Sequence, residues 1–327
     1  MPAKLHSVLI QDEALAAGAV RTVDLPVNPL STIWLTLRAL NNAADPVAQD
    51  PINTFLNMIA AVNVTFKGSN IIQGSLRDLY VLNAALWRRK GIQGTASRLD
   101  NDARILTVPI SFSRFPMWPE EAFPATRRGE LQLRIEAQAA FATTDGLTLQ
   151  VETDEILDAQ PTRFLKYTTL TRTWPAIGQN DIDLPLGNPL LMALLFGTTV
   201  PTAAALTSSW GQVSILVDNV GFTYPVSNWE TLHGMLMTRV PSLIEEAMHS
   251  HNENLAAVYA ANVTSGPTIA GSDPFRNYAV LDWDDLDDGS YALQTEGRGS
   301  VRVRANADVA DLVRVLPVEL VALSPAA

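Results

Sequence analysis

One stretch of this chain occurs twice, and that repetition constrains the fold more than any other feature. Near the start it reads Val23-Asp24-Leu25-Pro26-Val27-Asn28-Pro29-Leu30, and near the middle Ile182-Asp183-Leu184-Pro185-Leu186-Gly187-Asn188-Pro189-Leu190, the same order with one inserted Gly. Further echoes follow in the same order, as a duplication requires. Val62-Asn63-Val64-Thr65-Phe66 is answered by Val213-Ser214-Ile215-Leu216-Val217, and each run leads into a helix start with Ser75 or Ser227 as N-cap and Asp78 or Glu230 three residues on. Gly129 to Ile135 is answered by Gly299 to Ala305, both alternating apolar and polar, and Leu147 to Glu152 by Val313 to Leu320. The chain reads as a duplicated domain. The repeat divides the 327 residues near Ala159-Gln160-Pro161, into residues 1–160 and 161–327, and each half is long enough to bury its own core.

Each half reads as a succession of short strands. In the first, His6 to Ile10, Val20 to Leu25, Ile33 to Arg38, Val62 to Phe66 and Arg104 to Phe112 carry strand patterns, with Pro109 placing the last at an edge or a bulge. Glu130 to Ala137 and Leu147 to Glu152 read as a hairpin about the turn Thr144-Asp145-Gly146. Leu76, Leu79, Tyr80, Asn83 and Leu86-Trp87 recur at helical spacing, predicting one amphipathic helix to about Lys90 with Gly91 as its C-cap. The second half repeats this plan with a helix capped at Ser227 that turns Leu232, Met235 and Leu236 to one face, and a closing hairpin of Val301 to Ala305 with Leu312 to Leu323. Ser242 with Glu245 makes a further capping box, and an apolar stripe from Ile244 to Tyr259 marks a helical insertion at about 241–261 that the first half lacks. About eight strands with one helix per half point to an all-β chain of two tandem eight-stranded jelly rolls, each with a helix in a connecting loop.

The net charge of −11 argues against direct nucleic-acid binding, because such surfaces neutralise phosphates with clustered Lys and Arg. With no cysteine, disulfides, thiolate metal sites and Cys nucleophiles are excluded. The N-terminus lacks the apolar run of a signal peptide, and no apolar run approaches the ~20 residues of a membrane span, so the expectation is a chain made soluble. Four histidines are present; His6 and His233 read as surface or packing residues, and on a helix the side chains of His249-Ser250-His251 diverge. A two-cupin enzyme needs a later His and a first-half counterpart, and neither exists. No Gly-x-Ser-x-Gly elbow, phosphate loop or His-Glu-x-x-His appears. The expectation is a protein that is not an enzyme and carries no cofactor.

Two loops stand out. Asp282-Trp283-Asp284-Asp285-Leu286-Asp287-Asp288-Gly289 is an acidic turn, in which Asp282, Asp284, Asp287 and Asp288 are the candidate Ca²⁺ ligands; Leu286 stands where an EF-hand loop needs an oxygen, and the closing Glu is missing. The aromatic and proline-rich loop Phe115-Pro116-Met117-Trp118-Pro119 to Phe123-Pro124 is too apolar for an idle linker, so Phe115, Trp118 and Phe123 are candidate subunit contacts.

A chain of two jelly rolls with these helices, no catalytic constellation and a closing strand at Val313 to Leu323 resembles the double-jelly-roll major capsid proteins of tailless icosahedral viruses, often with an internal membrane, and particularly those infecting bacteria. The resemblance is architectural, spans nearly the whole chain and rests on the repeat. It implies a homotrimer that forms a pseudo-hexameric capsomer, tiling a shell beside neighbouring capsomers and minor capsid or vertex proteins, with an internal lipid membrane as a further partner. It also implies synthesis in the host cytoplasm and a final location in the virion. The rival class is a secreted two-jelly-roll carbohydrate-binding or glycan-hydrolysing protein, which needs exposed platforms such as Trp118 or Trp283 beside acids.

Overall fold

The computed structural model describes residues 3–41, 56–88, 92–94, 101, 103–141, 144–202, 205–240 and 274–323. The helical insertion expected at 241–261, with its capping box and His249 and His251, lies outside the described residues, as does Gly91. The chain forms two compact units, one built on the residues up to Phe164 and the other on Leu165–Arg239 with the chain from Phe275 onward.

The first unit has strands β1 (Ala3–Ala14), β2 (Val20–Asp24), β3 (Leu30–Asn41), β4 (Ile59–Phe66), β5 (Ser69–Gly74), β6 (Ile92–Gly94), β7 (Ala103–Ser111), β8 (Leu131–Ala137) and β9 (Thr144–Leu157), and helix α1 (Leu76–Trp87). One sheet runs β1-β9-β3-β7-β6 and the other β5-β4-β8-β2, with every pairing antiparallel. This is the jelly-roll order: apart from the paired neighbours β4–β5 and β6–β7, successive strands cross between the sheets, and the inward positions of both sheets supply one core. Ile33, Leu35 and Leu37 of β3 and Val62 and Val64 of β4 are fully buried. Pro109 pairs with Trp34, while β6 covers β7 only from Ile105 to Thr107, so the missing N–H falls where no described strand flanks β7 on that side.

Helix α1 starts where the capping rule places it: the Ser75 side chain accepts a hydrogen bond from the Asp78 N–H at 3.1 Å. It stops at Trp87, because Arg88 adopts the left-handed conformation (φ 53°). Its burial departs from the sequence expectation, since Val81, Leu82, Ala84 and Ala85 are buried along with the predicted stripe. Asn83 ties the helix to β7 by donating to the Leu79 carbonyl and accepting from the Ser111 N–H at 3.1 Å.

The second unit has β10 (Arg163–Thr168), β11 (Leu170–Thr173), β12 (Gly178–Asp183), β13 (Leu190–Gly197), β14 (Gln212–Val217), β15 (Val220–Gly221), β16 (Ser227–Asn228), β17 (Tyr278–Asp282), β18 (Val301–Ala307) and β19 (Leu312–Ala322), and helix α2 (Trp229–Arg239). Its sheets run β17-β13-β19-β10, with β11 also on β19, and β12-β18-β14-β15, with β16 on β14. Eight of these strands repeat the order of the first unit, β10-β19-β13-β17 matching β1-β9-β3-β7 and β12-β18-β14-β15 matching β2-β8-β4-β5, while β6 on one side and β11 and β16 on the other have no counterpart. Trp174, Trp210, Trp229 and Trp283 all belong to its apolar cluster. Gly211 is required where it stands: with φ +54°, an added Cβ would lie 2.2 Å from the Asn306 carbonyl oxygen.

Two expectations are corrected. The sequence predicted hairpins of β8 with β9 and of β18 with β19, but in each pair the partners belong to opposite sheets: β8 pairs with β2 and β4 while β9 pairs with β1 and β3, and β18 pairs with β12 and β14 while β19 pairs with β11 and β13. Alternation reports which face is buried and carries no information about the neighbouring strand. Ser227 also does not cap α2; it lies in β16, paired with Val213, and the helix begins two residues later.

Candidate functional site

The repeated motif builds the same junction in both units. Asn28 Nδ2 donates to Glu155 Oε2 at 2.7 Å, and Asn188 Nδ2 donates to Glu319 Oε2 at 2.7 Å. The other carboxylate oxygen is held from the unit's first strand, by the Ser7 hydroxyl at 2.6 Å in one unit and by Lys166 Nζ at 2.9 Å in the other. The Pro29 carbonyl accepts from the Ile156 N–H, and the Pro189 carbonyl from the Leu320 N–H. Both glutamates are 2% exposed. The leading Asp of each motif pairs across the sheet, Asp24 with Gln132 and Asp183 with Arg302. The motif therefore recurs because each closing strand needs the same clasp.

The two loops singled out by the sequence occupy equivalent places. Phe112 N–H donates to the Ser31 carbonyl and Trp283 N–H to the Leu191 carbonyl; at the far end Leu30 exchanges two backbone hydrogen bonds with Phe123, as Leu190 does with Leu293. The aromatic loop and the acidic turn are the same connection, from β7 to β8 and from β17 to β18.

In the first unit this connection closes over a buried ion pair. Arg114, 2% exposed, bonds to Glu121, 0% exposed, through Nε at 3.0 Å and also through Nη2. Arg163 reaches the same carboxylate at 2.9 Å, and the two guanidinium groups lie 5.4 and 5.3 Å from the Trp118 ring centre. Phe123 is 1% exposed, within 5.3 Å of the ring centres of Phe66 and Phe112 and 4.9 Å of Phe164. That burial corrects its assignment as a subunit contact: it is a core residue. Trp118 is half-buried, and Phe115 is open to solvent at 44% exposure.

In the second unit the aspartates gather on a cation instead of forming a cage. Arg239, at the end of α2, bonds to Asp282 Oδ2, to the Asp284 carbonyl at 3.1 Å and to Asp287 Oδ1 at 3.3 Å. Asp284 is buried and accepts the Gly289 N–H at 2.6 Å, while Asp288 accepts the Ser290 N–H at 2.8 Å. Burial pushes the Asp282 carboxyl above its ordinary value, although Arg239 draws it the other way. Among the described residues no group of three or more His, Asp or Glu is arranged to hold a metal ion. The oxygens proposed for Ca²⁺ are directed at a guanidinium and at backbone N–H groups.

Beside this turn lies an open groove of about 1040 Å³, lined by Val217, Val220, Phe222, Trp283, Asp285, Leu286, Tyr291 and Arg298 among others. Sequence reasoning missed it, together with Arg239. Trp283, named from the sequence as a platform, is 3% exposed; the open rings are Tyr291 at 68% and Phe222 at 52%. His6 bonds Asp154 at 2.8 Å and His233 bonds the Tyr278 carbonyl at 2.6 Å, as residues with packing roles do. Asp154 also accepts from Trp34 and lies 3.1 Å from Lys4; burial works to raise its carboxyl, and these donors outweigh it and hold the group below its ordinary value.

No protein-family model matches the sequence, and no curated protein matches it. Solved structures do. The major capsid protein P2 of bacteriophage PM2 matches with a TM-score of 0.62 at 12% identity, over 98% of this chain and 98% of that one. The major capsid protein of Sulfolobus turreted icosahedral virus matches at 0.65 and 14%, over 98% and 97%, and a chain of the PBCV-1 virus capsid at 0.62 and 10%, over 98% and 94%. From end to end, the chain has the fold of the double-jelly-roll viral capsid proteins.

Proposed function

We propose that this chain is the major capsid protein of an icosahedral virus, with a structural and not a catalytic role. The observation that carries the reading is the reciprocal coverage: both jelly rolls, and almost nothing else, are shared with the capsid proteins of PM2 and Sulfolobus turreted icosahedral virus. Identity of 12–14% leaves function to be argued from architecture. Two jelly rolls of one plan in a single chain suit a shell of hexagonal units, because three copies present six similar towers. The assembly in this reading is therefore a homotrimer set among neighbouring capsomers, with minor capsid or vertex proteins and an internal membrane as its further partners in the virion. Among the described residues no helix is long and apolar enough to cross a bilayer, so a membrane beneath the shell would be met at its surface. Phe115 and Trp118 remain the first unit's candidates for subunit contact.

The test is the solution mass of the purified chain by light scattering, with electron microscopy of the same sample. Trimers, hexagonal plates or shells are expected. A monodisperse monomer across concentration and salt overturns the reading.

A further inference from the structure

The groove of the second unit has no equivalent use in the shell reading, and it arises from identifiable substitutions. In the first unit Phe66 stacks edge-on against Phe123 at 5.3 Å. The equivalent positions in the second unit are Val217 and Leu293, and both line the groove. Two benzene rings that fill this place in one unit are absent from the other. Smaller side chains at both positions leave room where the first unit holds two rings.

Its lining combines open rings with polar groups. Tyr291 and Phe222 present most of their surface to solvent, and Val220 and Leu286 are 68% and 63% exposed beside them. Asp218, Asp285, Ser290, Thr223, Gln294 and Arg298 also face the space. The indole of Trp283 lines it too, and the buried Nε1–H has no hydrogen-bond partner among the described residues. Two other buried indoles of this core donate to backbone carbonyls, Trp174 to Ser209 at 2.9 Å and Trp210 to Phe196 at 3.0 Å.

We infer that this groove is a binding site for a neutral oligosaccharide. Pyranose rings offer apolar C–H faces to Tyr291 and Phe222, and their hydroxyls offer donors to Asp285 and acceptors to Arg298 and Gln294. An anionic ligand does not suit the site, because Asp218 and Asp285 face it against Arg298, which already lies 3.7 Å from Asp218. A peptide strand does not suit it, because the sheet edge here, β15, offers only Val220 and Gly221 to a ladder. The core of a contact with a second copy is normally depleted of charge, and two carboxylates and a guanidinium line this groove. The size agrees with ligand clefts, which run to about 1,000 Å³.

The inference is independent of the shell reading, and one experiment separates them. The full-length protein is titrated calorimetrically with maltohexaose, cellohexaose and chitohexaose, and with a sulfated heparin hexasaccharide, while light scattering records the mass of each sample. One neutral hexasaccharide is expected to bind, and Tyr291→Ala and Phe222→Ala each to weaken it about tenfold, with Phe115→Ala in the first unit as the control that leaves binding unchanged. Both rings are exposed, so unchanged thermal melts are expected. Failure of all three neutral sugars to bind overturns the site, as does binding that survives both substitutions or a preference for the sulfated ligand. A Tyr291→Ala protein that changes mass and not sugar affinity also overturns it, in favour of a second copy in the groove. A trimer that binds no sugar sinks only the site, and a monomer that binds one sinks only the shell.

Discussion

The connection from β7 to β8 and the connection from β17 to β18 hold the same position in their units, yet they solve the problem of closing a sandwich end in opposite ways. The first turns a carboxylate, Glu121, inward and surrounds it with Arg114 and Arg163. The second turns a guanidinium, Arg239, inward and surrounds it with Asp282, Asp284 and Asp287. The first fills its remaining space with phenylalanine rings; the second leaves a groove. A shared fold thus fixes where the chain must close and leaves free the sign of the buried charge and the packing around it. Those freedoms are where a duplicated domain can acquire a second use.

The comparison can be broken most sharply at the buried charges. Glu121→Ala should destabilise the first unit by about 3–5 kcal/mol, since two guanidinium groups lose their counter-charge and one of them is fully buried. Arg239→Ala should act on the second unit with similar size, and urea unfolding of each variant checks both. Phe123→Ala, in a filled site, should be costlier than Leu293→Ala beside an open groove, by the trend of about 3–5 against about 2–5 kcal/mol for such truncations. Equal losses would show that the groove is as tightly packed as its counterpart.

At the clasp the two units should agree. Asn28→Ala and Asn188→Ala each remove a donor from a buried carboxylate, and each should cost about 1–3 kcal/mol; a large inequality would mean that the repeated motif does different work in its two copies. Conversely, Val217→Phe should carry the first unit's packing into the second, reducing sugar affinity with less than about 1.5 kcal/mol of change in stability.

The smallest effect concerns acid. Asp154 has a lowered carboxyl value in the folded chain, so the stability it contributes is present above the ordinary Asp value of about 3.9 and is lost as pH falls through the lowered one. Asp154→Asn should therefore be less stable than the parent near pH 6, and the gap should narrow below about pH 4. Denaturant midpoints across that range test it, and a gap that widens in acid would reverse the assignment.

The duplication is legible in the sequence because the same Asn and Pro make the same bonds to the closing strand in both units. The sequence conceals the partner, since Glu155 lies 127 residues from Asn28 and Glu319 lies 131 from Asn188, distances at which no periodicity speaks. Alternation makes strand positions readable but not their pairing: strands close in sequence look like hairpins, whereas the jelly roll sends them to opposite sheets. Phe115 and Phe123 look alike in a list of aromatics; only the backbone exchange of Phe123 with Leu30 puts one in the core and the other outside. The acidic turn suggested an ion site because its cation comes from Arg239, 43 residues before Asp282. The replacement of Phe66 by Val217 stood in plain view in the aligned repeats, but a missing ring becomes a groove only when its neighbours decline to fill it.

The clasps also bear on how the chain avoids confusing its own halves. Each joins segments far apart, 148 residues from Ser7 to Glu155 and 153 from Lys166 to Glu319, and contacts of such range form late and invite wrong pairings between similar repeats. The third member of each clasp differs: Glu155 is met by a neutral hydroxyl, Glu319 by an ammonium group. Both closing strands carry a glutamate at this position, so exchanging them would set Glu319 against Ser7 and Glu155 against Lys166, the same kinds of pair as before. The clasp therefore fixes the register of a closing strand without telling the two closing strands apart, and discrimination between the halves falls to positions where the copies differ in bulk, such as Phe66 against Val217 and Phe123 against Leu293.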